Sequence, residues 1–184
     1  MKILKRIIAE VPYSEYALEA RRHLAYHNEN GKDIHDNALL FERLKPLLKY
    51  HFDSPSLLNL LFMTGMDSQP EAAIQYGIEA LTNVDMYPMD SRYGAFPERI
   101  HENLGYAYQE IGHYSTALDH LNQALKLYNT HQDRTRESIL SADRLKKHII
   151  QIHKDNPILG PLSDGSASDL PERAPESSRV IIEE

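Results

Sequence analysis

The chain has 184 residues, 41% of them hydrophobic, and a formal net charge of −7, which is enough apolar material for one domain of ordinary size. The acidic balance lacks the basic field that phosphate backbones require, so it argues against a nucleic acid partner. Because the chain contains no cysteine, disulfides, thiolate metal sites and cysteine nucleophiles are excluded.

Apolar residues recur at steps of three and four along most of the chain, from Ile3 to Ile152, which is the period of one-sided helices. The pattern predicts helices at about 2–10, 13–29, 33–50, 55–65, 69–83, 97–111 and 114–129. A longer helix at about 134–154 follows. The sequence therefore predicts an all-α domain over residues 1–154.

Local chemistry marks several helix boundaries. Ser54 precedes Pro55 as a helix start, and Ser68 with Glu71 reads as a capping box. Pro46 removes an amide donor inside the third predicted helix and crowds the preceding turn. We expect that helix to kink or to end at Pro46.

The first helix has an apolar face and a basic face, formed respectively by Ile3, Leu4, Ile7, Ile8 and Val11 and by Lys2, Lys5 and Arg6. This pattern is typical of a helix packed on its neighbour, which we expect, and also of a helix lying on an anionic membrane. Glu10 and Pro12 cut the apolar stretch far below signal-peptide length, and no window approaches the roughly 20 apolar residues of a membrane span. The sequence predicts a cytoplasmic protein.

The composition changes after Asn156, where prolines, glycines, serines and acids replace the helical pattern. Such a composition buries too little surface to offset the entropy of ordering, so residues 155–184 are predicted to form a flexible acidic tail. Its last segment, Arg179–Glu184, differs because it holds three adjacent branched apolar residues. That segment either docks as a strand or in a groove, or remains an unstructured end.

A spaced motif occupies residues 98–130, and its members are Leu104, Gly105, Tyr108, Gly112, Tyr114, Ala117, Leu121, Ala124 and Leu125. The small residues suit the close approach of two antiparallel helices, and Gly112 suits a tight turn in the αL conformation. A weaker copy upstream consists of Leu60, Leu61, Thr64, Ala73, Gly77, Ala80 and Leu81. These spacings resemble the tetratricopeptide repeat, although Asn129 and Thr130 stand where that motif commonly has a proline.

The segment 11–31 is similar to repeats of the bacterial outer-membrane assembly and Tol-Pal coordinator type. In that interpretation the helix at 2–10 is the second of a pair, and the chain starts mid-repeat or is a fragment. The resemblance implies a short right-handed superhelical solenoid of antiparallel helix pairs. It also implies a scaffold for protein–protein interaction, without enzymatic activity or cofactor.

In this family the first helix of each pair lines a groove that holds a peptide of a partner protein. Asn59 and Asn103 occupy the position of an asparagine that pairs with the peptide backbone, although both also suit solvated helix positions. The resemblance turns further residues toward the groove: Leu58, Phe62, Glu102, Tyr106 and Gln109, with Arg21 or Arg22 and Arg136 at its ends.

About ten inserted residues separate the two copies of the motif, within residues 84–97. This stretch concentrates aromatic side chains, among them Tyr87, Tyr93 and Phe96. Aromatic rings give large contact areas for little entropy. They are candidates either for contacts with the partner or for packing onto neighbouring helices.

Three alternatives accompany the scaffold interpretation. The acidic tail from Leu170 to Glu184 could fold back and compete for the groove, and the uncovered edge of the first helix could support a homodimer. His23 and His27 lie one turn apart, with Glu19 as a third metal ligand for an enzyme. We expect no metal there, because no metalloprotease pattern accompanies the two histidines.

Overall fold

The computed structural model describes residues 2–27, 31–84, 96–130 and 136–159. Within these ranges the chain is all-α, as predicted, with an isolated antiparallel bridge between His27 and Asp33 but no β-strand. The helices are α1 (Lys2–Glu10), α2 (Glu15–Tyr26), α3 (Asn37–Leu44), α4 (Leu48–His51), α5 (Pro55–Gly65), α6 (Pro70–Asn83), α7 (Pro97–Glu110), α8 (Tyr114–Thr130) and α9 (Arg136–Asp155).

Side-chain caps set three of the described helix starts, and the first is the Ser14 hydroxyl, which accepts the Ala17 amide at 3.1 Å before α2. The Ser54 hydroxyl accepts a hydrogen bond from the Leu57 amide at 3.4 Å, which confirms the predicted start of α5. The Asp36 carboxylate accepts the Leu39 amide at 3.0 Å. Helix α3 therefore begins at Asn37, four residues later than predicted.

The predicted capping box before α6 is wrong. Gln69 is the N-cap residue, and its side chain makes no capping hydrogen bond. The Ser68 hydroxyl instead donates to the Gly65 carbonyl at 3.5 Å, so it closes the end of α5 rather than the start of α6.

The predicted break at Pro46 is confirmed. Helix α3 ends at Leu44, a single 3₁₀ turn spans Lys45–Leu47, and α4 follows. The missing amide donor of proline is tolerated at this place because the chain changes its hydrogen-bond pattern there.

Successive helices pack against one another along most of the chain. Helix α5 packs on α6, α6 on α7, α7 on α8 and α8 on α9, while α3 reaches α5. The α7–α8 contact is the tightest at Gly105, where an added Cβ would lie 2.5 Å from Leu121 Cγ. Gly112 closes the connecting turn with φ 80°, the left-handed conformation that was predicted.

Helix α1 packs on α2, but none of its residues is buried, and Ile3 remains 75% exposed. Helix α1 therefore packs on its neighbour, as expected, but α2 does not fully cover its apolar face. Among the described helices, none is long and apolar enough to cross a membrane.

Candidate functional site

An open groove of about 730 Å³ runs beside α7 and is bounded by α5 and α9. A smaller cavity of about 190 Å³ continues it toward the carboxyl ends of α5 and α7. Both are lined by Met63, Asn103 and Tyr106, so they form one continuous surface, which we call the α7 groove. The larger part adds Arg99, Glu102, Tyr128, Glu137, Leu140, Ser141 and Arg144, and the smaller part adds Phe62, Met66, Asp67, Ala107 and Glu110.

A buried carboxylate, Glu102, organises the floor of the α7 groove. Its side chain accepts hydrogen bonds from the Tyr128 hydroxyl at 2.9 Å and the Tyr106 hydroxyl at 3.4 Å, and it pairs with the Arg144 guanidinium. Burial and the neighbouring Glu102 charge raise the pKa of both tyrosines, so their hydroxyls stay protonated and donate. These bonds offset the cost of burying the carboxylate and tie α7 to α8 and α9.

A second polar contact joins α7 to α9 further along. His148 Nε2 lies 2.7 Å from Gln109 Oε1, and the His148 ring meets Tyr106 edge-on at 5.0 Å between centroids. Burial lowers the pKa of His148, which favours a neutral imidazole donating to the amide oxygen. Gln109 is therefore engaged within the protein.

Asn103 lies at the middle of the groove, where its Nδ2 contacts the Met63 sulfur at 3.0 Å. Its side chain is partly exposed, and Met63 beside it is 48% exposed. An asparagine amide offers a donor and an acceptor together. The predicted backbone-pairing residue therefore stands next to open apolar surface.

The two ends of the α7 groove carry charged side chains. Two guanidinium groups, Arg99 and Arg144, are 48% and 62% exposed at one end. Two exposed carboxylates, Asp67 and Glu110, line the other end. Glu110 and Arg99 are eleven residues apart on α7, which corresponds to about 16 Å along the helix axis. Arg99 and Arg144 are paired there with Glu137 and Glu102, so a bound segment meets an acidic end and an end of paired charges.

Most of the α5 residues expected in the groove are buried. Leu58 is fully buried in a core cluster with Ile100 and Leu104 of α7, and Phe62 of the same cluster borders the smaller cavity but is only 1% exposed, so neither offers a partner substantial contact area. Asn59 is 8% exposed, and its Oδ1 has no hydrogen-bond donor among the described residues. Helix α5 presents Met63 to the groove instead, because α3, α6 and α7 cover its other sides.

The structure describes only part of the residues predicted to flank the groove. Arg136 opens α9, but its side chain lies outside the part of the chain that the structure describes. Tyr87 and Tyr93 lie outside it entirely. Phe96 is the half-buried N-cap residue of α7, and the Arg99 guanidinium lies 5.8 Å from its ring centroid. Phe96 thus packs beside the basic end of the α7 groove.

Arg21 and Arg22 do not line the α7 groove. Arg21 is buried, donates to the Pro12 carbonyl and stacks 4.1 Å from the Tyr50 ring centroid. Arg22 pairs with Glu19 at 2.7 Å on its own helix. Both arginines therefore stabilise the amino-terminal helices, which corrects their predicted place at the groove ends.

The two histidines considered for a metal are engaged elsewhere. Their ring centroids lie 4.0 Å apart, with His27 Nδ1 at 2.7 Å from the His23 carbonyl oxygen and His27 Nε2 at 3.0 Å from Asp33 Oδ1. In the described ranges, no three histidine or carboxylate side chains gather as a metal site would require.

Several groove residues carried no signal in the sequence. Met63, Leu140, Arg144 and Tyr128 belong to no spaced motif, and Arg144 and Tyr128 reach Glu102 across 42 and 26 residues of chain. Only the approach of α8 and α9 to α7 brings these side chains together.

The chain matches no family model, no curated protein and no solved structure in the comparisons.

Proposed function

We propose that this protein is a non-enzymatic scaffold of the tetratricopeptide type, acting in the cytoplasm, which holds an extended segment of a partner protein in the α7 groove. Support for the repeat architecture comes from the motif of residues 98–130 and from the stepwise packing of α5 to α9. The glycine contact between α7 and α8 is what such a helix pair requires.

The observation that carries the proposal is Asn103, a partly exposed amide between apolar side chains in the middle of an open groove. Its Oδ1 can accept a backbone amide of an extended segment, a contact that needs no particular side chain of the partner. Met63 and Leu140, 48% and 60% exposed, supply apolar contact on either side. The Glu102 network holds the walls in place before binding, which reduces the ordering cost.

A peptide selection on the full-length chain tests the proposal. Peptides that bind the immobilised protein are selected from a random library, and their dissociation constants are measured by fluorescence anisotropy. Asn103→Ala should weaken them about fivefold to tenfold, because one buried hydrogen bond contributes about 1 kcal/mol. Asn122→Ala changes an exposed asparagine of α8 that does not line the groove and should leave binding unchanged.

A substitution that adds a charge to the groove wall gives an independent check. Leu140→Glu places a charge beside Glu137 on the groove wall and should abolish binding, while circular dichroism stays unchanged because Leu140 is exposed. Peptides that bind equally well to Asn103→Ala and Leu140→Glu would assign recognition to another surface.

A further inference from the structure

The charge pattern of the α7 groove points to a specific segment of the same chain. We propose that Arg179–Glu184, near the carboxyl end of the sequence, docks in the α7 groove and competes there with partner segments. This inference rests on the proposed function of the groove as a binding site for extended segments.

The order of residue types in this segment mirrors the order of surfaces in the groove. The segment reads as one cation, Arg179, then three branched apolar residues, then the anions Glu183 and Glu184. The groove presents the carboxylates of Asp67 and Glu110, then apolar and aromatic surface, then two exposed guanidinium groups, each paired with one carboxylate, Glu137 or Glu102. The acidic end of the groove attracts Arg179 and repels Glu183 and Glu184, so the charges favour one orientation of the segment.

The two lengths also agree. An extended chain spans at most about 3.3–3.6 Å per residue, so Arg179 and Glu184 are separated by about 17 Å when extended. The charged ends of the groove, represented by Glu110 and Arg99, are about 16 Å apart along α7. A segment of six residues is therefore sufficient to place both charged ends at once.

The connecting chain is long enough to make this contact within one molecule. Helix α9 ends at Asp155, about 16 Å along its axis from Arg144 at the groove. Residues 160–178 can span up to about 60 Å when extended, more than the return path needs. Covalent attachment raises the local concentration of the segment to about the millimolar range, so weak contacts suffice for occupancy.

Arg99 and Arg144 have more N–H donors than their existing ion pairs use. A guanidinium carries five N–H donors, and the Arg144 contact with Glu102 uses its Nη2 group alone. Arg144 is 62% exposed and lines the groove, while the buried Glu102 holds its guanidinium in place. Arg99 is 48% exposed and pairs with Glu137, which is itself 74% exposed. Both arginines can therefore receive a carboxylate of the segment without losing their internal partners.

Engineered disulfides test the docking directly, because the natural chain contains no cysteine. The full-length double variant Leu140→Cys with Ile182→Cys pairs the groove wall with the segment. With oxidised glutathione supplied as the oxidant, we expect it to form an intramolecular disulfide at least ten times faster than the control pair Lys126→Cys with Ile182→Cys. Lys126 is exposed on α8 and does not line the groove. Equal rates for the two pairs would overturn the proposal, and so would a product that is mainly a disulfide-linked dimer.

A charge exchange tests the predicted orientation. Added to the Leu140→Cys, Ile182→Cys chain, Glu110→Lys should slow disulfide formation about threefold, the effect of losing one exposed ion pair. Arg179→Glu in the same chain should restore the rate. The matched change Glu71→Lys, on an exposed site of α6 outside the groove, should have no effect. A rate that ignores Glu110→Lys, or that Arg179→Glu fails to restore, would overturn the assigned orientation.

Failure of the docking proposal can be distinguished from failure of the proposed function. If selected peptides bind through Asn103 while the cysteine pair reacts no faster than its control, only the docking of Arg179–Glu184 is refuted. If the disulfide forms as expected, added peptide should slow it, since both ligands occupy the α7 groove. Disulfide formation that saturating peptide leaves unchanged would show that the segment lies elsewhere, which also overturns the inference.

Discussion

Replacement of Gly105 by alanine tests the closest contact between α7 and α8. An ideal Cβ at this position would lie 2.5 Å from Leu121 Cγ, 2.6 Å from Leu121 Cδ2 and 3.1 Å from the Ala117 carbonyl oxygen. Leu121 is fully buried and Cγ is its branch point, so relieving the contact requires the whole side chain to shift. Overpacking of this kind costs about 1–3 kcal/mol.

The helix propensity of alanine acts in the opposite direction. Alanine is favoured over glycine by about 1 kcal/mol in a helix interior, so the net loss of stability should be about 0–2 kcal/mol. Urea denaturation followed by far-ultraviolet circular dichroism measures this difference as a lower midpoint at unchanged slope.

Gly105→Ala can also be measured in a Leu121→Ala variant, which removes the steric contact. Leu121→Ala alone should cost about 2–5 kcal/mol because it leaves a cavity. In that background Gly105→Ala should no longer destabilise, since its methyl group enters the vacated space. If Gly105→Ala raises the stability of the natural chain by about 1 kcal/mol, Gly105 is an open helix position and the packing described for α7 and α8 is refuted.

Three further predictions concern the stability of the full-length chain. His101 and His120, whose Nδ1 atoms lie 2.9 Å apart, have pKa values lowered mainly by burial, that of His101 to about 4. Stability should therefore be complete above about pH 6.5 and fall toward pH 4, because the unfolded chain binds protons more readily; urea midpoints that do not fall over this interval contradict it. Tyr128→Phe removes the 2.9 Å bond to the buried Glu102 and should lower the free energy of unfolding by about 1–2 kcal/mol, whereas a neutral result would mean that this bond adds nothing. Phe62→Ala should cost about 3–5 kcal/mol in thermal or urea unfolding, and a loss below 1 kcal/mol would place Phe62 at the surface.

Helix content followed from local rules, because caps and prolines act over a few residues. Pro55 and Pro97 open helices where their missing amide donor has no cost, and Pro46 interrupts one. Ser68 shows the limit of such rules. It met the pattern of a capping box, but its hydroxyl bonds to Gly65 because the preceding helix ends within reach.

The face that a helix buries depends on its neighbours and was harder to predict. Phe62 and Tyr106 occupy matching positions in the two copies of the repeat motif, yet Phe62 is buried whereas Tyr106 is partly exposed in the groove. The difference arises because α7 covers that face of α5, while α9 leaves the corresponding face of α7 open. Asn103 was identified from its spacing, whereas Arg144 could be found only from the position of α9.

Nuclear magnetic resonance mapping on the isotope-labelled full-length chain tests the central claim most directly. A selected peptide is titrated into the protein, and backbone amide shifts are followed to saturation. Binding in the α7 groove predicts the largest changes at Met63, Asn103, Tyr106 and Leu140, with little change along the outer residues of α8 near Lys126. Changes centred on α1 and α2, with the groove residues unmoved, would contradict the assignment of the α7 groove as the binding site.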